Sequence, residues 1–174
     1  MKIRAELLLR ASSDRPHCGR DLAALTATRK SVRIATPDFL PEPTLIAALN
    51  LAALRGVTVD IMVPGAGICG RAMGLHAPLW QVIERGCRVW HSPPPFDRSK
   101  LFIVDNAWSL IGSTNWDPRS LRLNFEFNVE CYDPALARTL SSTFDAIRER
   151  SSPVTLPRWM SARCPCLLGM PLTL

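Results

Sequence analysis

The chain has 174 residues, 47% of them hydrophobic and 21% charged, which suits one globular domain and excludes a low-complexity or disordered chain. Its net charge of +6 comes from 21 Lys+Arg against 15 Asp+Glu; this suits an anionic partner such as a phospholipid headgroup or nucleic acid, although a solvated basic surface explains it equally well. No run approaches the ~20 apolar residues a membrane-spanning helix needs.

In chain order, Arg4 and Glu6 interrupt the stretch where a signal peptide needs an apolar core, so export is not expected, and residues 1–19 are read as a polar N-terminal segment. Asp21 to Lys30 is predicted as a short helix with Leu22 and Leu25 inward. Ser31 to Ala35 alternates like a strand and stops at Thr36-Pro37. Pro43 opens a helix in which Leu45, Ala48, Leu49 and Ala52 recur at helical spacing, and Gly56 closes it. Val57 to Val63 is a strand again. Strand, helix and strand in this order make a βαβ unit, whose two strands must be parallel.

Pro64 to Gly74 is glycine-rich and predicted as a loop, without a phosphate-cradling pattern. Pro78 to Arg85 is a helix ended by Gly86, and Cys87 to Trp90 a strand. Ser92-Pro-Pro-Pro95 leads to a strand from Lys100 to Asp105, which turns at Asn106-Ala107 into a hairpin partner, Trp108 to Ile111. Phe125 to Tyr132 is a further strand. Asp133-Pro134 reads as an N-cap with proline at the first helical position, followed by a helix with Leu136, Leu140, Phe144 and Ile147 on one face. From Ser151 to Leu174 there is no acidic residue and no periodicity, and four prolines; this irregular tail is expected to pack poorly. The expected architecture is an α/β domain over residues 20–150, with a mixed, mostly parallel sheet flanked by helices.

Six cysteines, at 18, 69, 87, 131, 164 and 166, form no CxxC pair, and His17, His76 and His91 are dispersed, so neither a metal site nor a disulfide framework is expected. The informative cluster is Arg98, Lys100, Asp105, Gly112, Ser113 and Asn115. On a strand, residues 98 and 100 project to one side. Lys100, Ser113 and Asn115 supply a cation, a hydroxyl and an amide, a donor set suited to the non-bridging oxygens of a phosphate.

This spacing resembles the HxKxxxxDxxxxxxGSxN motif of the phospholipase D superfamily at every position except the His, where Arg98 stands. Val32 to Pro37, Phe39 to Pro41, Ala52 to Val57, Asp117 to Ser120 and Leu123 to Glu126 extend the resemblance to the C-terminal half of bacterial cardiolipin synthases, over about residues 20 to 150. Asp38 departs from the tyrosine often found at its position. The resemblance implies a phosphatidyltransferase or phosphodiesterase site without cofactor. It matches Glu126 to the acid that orients the nucleophilic His, and gives Asp105 a structural role in anchoring the turn or an adjoining loop.

Family enzymes combine two such motifs, from two halves of one chain or from a homodimer. One His attacks phosphorus and the other protonates the leaving alcohol. This sequence carries one motif, and Arg98 in it has a guanidinium that stays protonated and offers no lone pair. The resemblance therefore implies a truncated, catalytically impaired half-domain with a degenerate site. Anionic phospholipid such as phosphatidylglycerol is the expected partner, and a second copy or a chain with the other motif is the expected complement. The expected place is the cytoplasm, at the periphery of the inner membrane. A single-motif nuclease and a non-catalytic phospholipid-binding module are the alternatives, nucleic acid being the less favoured partner. An ion pair between Arg98 and Glu126 is expected to replace the lost imidazole contact.

Overall fold

The computed structural model describes residues 2–8, 16–65, 76–95, 98–122 and 124–155. In chain order the elements are β1 (Lys2–Leu8), α1 (Pro16–Ala27), β2 (Ser31–Ala35), α2 (Pro43–Leu54), β3 (Thr58–Pro64), α3 (His76–Ile83) and β4 (Arg88–Ser92). There follow β5 (Lys100–Val104), β6 (Trp108–Gly112), α4 (Pro118–Arg122), β7 (Glu126–Tyr132), α5 (Pro134–Arg148) and β8 (Ser152–Pro153). The strands form one sheet in the order β1-β7-β6-β5-β2-β3-β4-β8.

The sheet is mixed and the class is α/β, as expected, but the sheet is not mostly parallel. Among the described strands, β2–β3 and β3–β4 pair in parallel and the other five pairings are antiparallel. The cause lies in the connections. A helical crossover follows β2 and β3, whereas β5 turns directly into β6, and so tight a turn permits only antiparallel pairing. Asp105 and Asn106 both have positive φ, 54° and 53°, and the Ala107 N–H closes the turn on the Val104 carbonyl at 3.0 Å. That is the primed turn whose twist matches a hairpin, and Asp and Asn tolerate it better than most side chains.

Alternate residues of the central strands divide the molecule into layers. Val32, Ile34, Val59, Ile61, Val89 and Phe102 are buried in one core with Leu25 of α1, Leu45 and Leu49 of α2, and Val82 of α3. Each such side chain, fully withdrawn from water, contributes roughly 1.5–3 kcal/mol. Arg33 turns the opposite way, where Nε and Nη2 bond the two carboxylate oxygens of Asp145 on α5 at 3.2 and 3.0 Å. Arg148 of α5 also reaches Asp60 of β3, at 3.4 Å. The start of α5 follows its sequence signal: the Asp133 side chain accepts from the N–H groups of Ala135 and Leu136 at 2.8 and 3.3 Å.

Both ends of the described chain hold more structure than the sequence reading allots them. β1 pairs along its whole length with β7, from Lys2 opposite Tyr132 to Leu8 opposite Glu126. α1 begins at Pro16, so the expected boundary at residue 20 falls inside a helix. At the other end, β8 pairs with Trp90 and His91, and the Val154 N–H donates to the Val89 carbonyl at 2.8 Å. Residues 156–174, and the glycine-rich stretch beyond Gly65 as far as residue 74, lie outside the described residues.

Candidate phosphate site at one end of the sheet

Strand direction gathers the motif at one end of the sheet. β2, β3 and β4 end there, β5 and β7 begin there, and β6 ends there: Ala35 lies opposite Leu101, Lys100 opposite Gly112, and Gly112 opposite Asn128. The carboxyl ends of parallel strands are the usual ligand-binding edge of an open α/β sheet. Lys100, Ser113, Asn115 and Glu126 therefore belong to one sheet end, whereas Asp105 follows the last residue of β5 and lies at the other.

Ser113 is fixed by three hydrogen bonds. Its N–H donates to the Phe127 carbonyl at 3.0 Å, its Oγ accepts from the Phe127 N–H at 3.0 Å, and the hydroxyl donates to Oε2 of Glu126. The second carboxylate oxygen of Glu126 accepts from Nδ2 of Asn124 at 3.2 Å. Glu126 is buried, with 6% of its surface exposed, and these two partners satisfy it. The expected ion pair with Arg98 is absent. Ser113 and Asn124 hold the carboxylate instead, and Arg98 is exposed, with no ion pair to any described residue. Arg98 does touch the site through its backbone, where its carbonyl accepts from Nζ of Lys100 at 2.9 Å.

The ends of β2 and β6 flank the start of β5 and join across it. One step beyond the Ala35–Leu101 pair, Thr36 comes level with Lys100, which has Gly112 on its other side. Phe39 then bridges to Trp116, their rings stacked at 6.2 Å, and the Leu40 N–H donates to the Trp116 carbonyl at 2.7 Å. Under this arch Asn115 Nδ2 donates to Oδ2 of Asp38 at 3.1 Å, and Thr36 Oγ1 donates to the Asp38 carbonyl at 2.8 Å. The sequence reading missed Asp38 and Asn124 as partners of motif residues. Asn124 was within reach, two residues before Glu126, but Asp38 is distant in sequence and only the tertiary fold brings it in.

Asp105 does different work. Its carboxylate accepts the backbone N–H groups of Arg29, Lys30 and Ser31 at 2.9, 2.7 and 2.9 Å, tying the hairpin turn to the loop between α1 and β2. Partial burial alone would raise its pKa, but the bonds from Ser31, Arg29 and Lys30, with the nearby Lys30 charge, outweigh it and hold the carboxyl below its ordinary value.

Between this sheet end and α5 lies a cavity of about 140 Å³, lined mainly by apolar side chains, Met62, Leu101, Ile111, Leu140 and Phe144 among them, together with Lys100. His91 sits in β4, paired with Val63 and Ser152 and three strands away from β5, which has Lys100 at its start and Arg98 just before it. No group of three His, Cys, Asp or Glu side chains suited to a metal occurs among the described residues. Nor is any helix among them long and apolar enough to cross a membrane.

The fold matches that of Nuc from Salmonella typhimurium, a phospholipase D family member, with a TM-score of 0.76 and 23% identity over 89% of this chain and 100% of that one. It also matches phosphatidylserine synthase of Haemophilus influenzae, with a TM-score of 0.66 and 19% identity over 87% of this chain and 40% of the other. The chain itself belongs to the cardiolipin synthase, PLD-like domain family, whose model matches residues 22–148. It is 38% identical to cardiolipin synthase A of Pseudomonas entomophila over 135 residues, 74% of this chain and 28% of that protein. To the cardiolipin synthase of Halalkalibacterium halodurans it is 37% identical over 123 residues, 69% of this chain and 24% of that protein. The chain thus spans about a quarter of the length of these curated relatives.

Proposed function

We propose that the chain is a phosphodiester-recognising domain of the cardiolipin synthase type, directed at the phosphate of an anionic phospholipid, in which Arg98 leaves phosphatidyl transfer weak or absent. The observation that carries this reading is the gathering of Lys100, Ser113 and Asn115 at one sheet end, with Arg98 at the motif position where the nucleophile belongs. Lys100 supplies positive charge for the non-bridging oxygens and the Asn115 amide supplies a neutral donor, while the single hydroxyl proton of Ser113 is given to Glu126. Arg98 adds another cation but has no lone pair with which to form a bond to phosphorus. Loss of a covalent nucleophile costs on the order of 10⁶ in rate, far more than the remaining donors recover.

A second motif, from another copy of the chain or from another chain, would supply the acid that protonates the leaving alcohol. The test is an assay of the 174-residue chain with phosphatidylglycerol vesicles and with a chromogenic phosphodiester. Rates near background are expected. Turnover well above background that persists in Lys100→Ala would place the chemistry elsewhere and overturn the reading.

A further inference from the structure

Two carboxylates occupy the neutral donors of this site. Glu126 takes the Ser113 hydroxyl, and Asp38 takes an N–H of Asn115 at 3.1 Å. The first contact is internal to the β6–β7 connection. The second links segments far apart in sequence, and it decides how Asn115 is presented. With Nδ2 facing the Asp38 carboxylate, Oδ1 of Asn115 is turned inward, where it is buried and has no hydrogen-bond partner. The reverse orientation would set the amide oxygen against a carboxylate oxygen, two acceptors with no proton between them. An orientation that leaves an amide oxygen unmet is kept because Asp38 requires it.

Asp38 is also an exposed negative charge at the edge of a site read as anion-binding. With Glu126 it sets two carboxylates against the two cations Arg98 and Lys100. An entering anion must therefore share the Asn115 amide with Asp38 and accept its repulsion. That repulsion scales with the charge of the ligand, so it acts twice as strongly on a dianion as on a monoanion.

Building on the phosphate-site reading above, we propose that Asp38 is the specificity-determining residue of the site: it admits the singly charged phosphate of a diester and disfavours the doubly charged phosphate of a monoester or of free phosphate. The Asp38 backbone is held independently of its carboxylate, by the Thr36 hydroxyl and by the Phe39–Trp116 bridge beside it. Exchange of the side chain is therefore compatible with folding.

The experiment titrates the 174-residue chain with dimethyl phosphate and with inorganic phosphate, followed by amide chemical shifts at low ionic strength and mildly alkaline pH. The proteins are the parent, Asp38→Asn, Asp38→Ser and Lys100→Ala. Removing the charge is expected to tighten inorganic phosphate on the order of tenfold and dimethyl phosphate about threefold, because doubling an interaction energy squares the factor. Both Asp38 variants should show this unequal gain, and Lys100→Ala should weaken both ligands.

Equal gains for the two anions, or none, with binding still dependent on Lys100, would overturn the role of Asp38 and leave the phosphate site standing. Binding indifferent to Lys100→Ala, or no binding by any of the proteins, would overturn the phosphate site and the proposal with it.

Discussion

Gly112 and Asn128 face each other across β6 and β7 so closely that no side chain fits at position 112. A Cβ there would overlap Oδ1 of Asn128 and stand 2.5 Å from the Phe127 carbonyl oxygen. Asn128 is itself held, its Nδ2 donating to Thr114 Oγ1 at 2.8 Å. The glycine before Ser113 thus serves close approach rather than an unusual φ. Gly112→Ala is expected to cost about 1–3 kcal/mol through overpacking, read by urea denaturation. Asn128→Ser should recover only part of it, because the contact with the Phe127 backbone remains. An unchanged midpoint for Gly112→Ala would refute this account.

Arg98→His restores the motif residue in one step, beside a Lys100, Ser113, Asn115 and Glu126 already in place. If the nucleophile is the controlling defect, phosphodiester hydrolysis should rise at least about 10²-fold over the parent, the lower range for a positioned acid or base. Because Glu126 is held by Ser113 and Asn124 and not by Arg98, no ion pair has to be broken for the imidazole to enter. Adding Glu126→Gln should diminish the gain. A folded Arg98→His protein at background rate would show that the imidazole alone is not the controlling requirement.

Asp105 should register in stability against pH. Its folded pKa lies below the ordinary value of 3.8, so its contribution is fully present above that value and is lost as pH falls through the lower, folded pKa. Asp105→Ala is expected to cost about 1–2 kcal/mol near neutrality, since water can take over the more exposed of its bonds, and much less in strong acid. Denaturation midpoints for both proteins across that acid range check this. A cost that does not change with pH would contradict it.

Asp21 behaves in the opposite sense. Burial raises its pKa to about 7, with the Arg20 charge opposing and the Glu130 charge reinforcing the shift. An acid whose folded pKa is raised stabilises below its unfolded value of 3.8, and that stability is lost as pH rises to about 7. Asp21→Asn should therefore match the parent in acid and exceed its stability above neutrality, by up to about 4 kcal/mol. Thermal midpoints on either side of that window decide it, and a variant less stable at both would show that the carboxylate is needed.

Much of the chain was legible because its signals are local. Pro43 and Gly56 bracket α2, Asp133-Pro134 marks the start of α5, and the alternation in residues 31–35 delimits β2 without error. The parallel or antiparallel sense of a strand is not local, which is why the sheet was read as mostly parallel. β1 was missed although Ile3, Ala5 and Leu7 alternate with Arg4 and Glu6, since its stability comes from β7, more than a hundred residues away. Motif spacing singled out Lys100, Ser113 and Asn115, which the strand pairing brings to one sheet end. Their partners Asp38 and Glu126 depend on where β2 and β6 end and β7 begins, which spacing alone does not encode.

The hairpin of β5 and β6 carries Lys100 and Gly112 at one end and is tied through Asp105 to the α1–β2 loop at the other. It works as a ruler graduated in residues. Between anchor and cation the count must stay fixed, because adding or removing one residue turns every later side chain to the opposite face of the sheet. Point substitutions along β5 would alter packing by degrees. A single inserted codon between Lys100 and Asp105 would instead swing the ammonium from one side of the sheet to the other, so length there is a stricter constraint than identity.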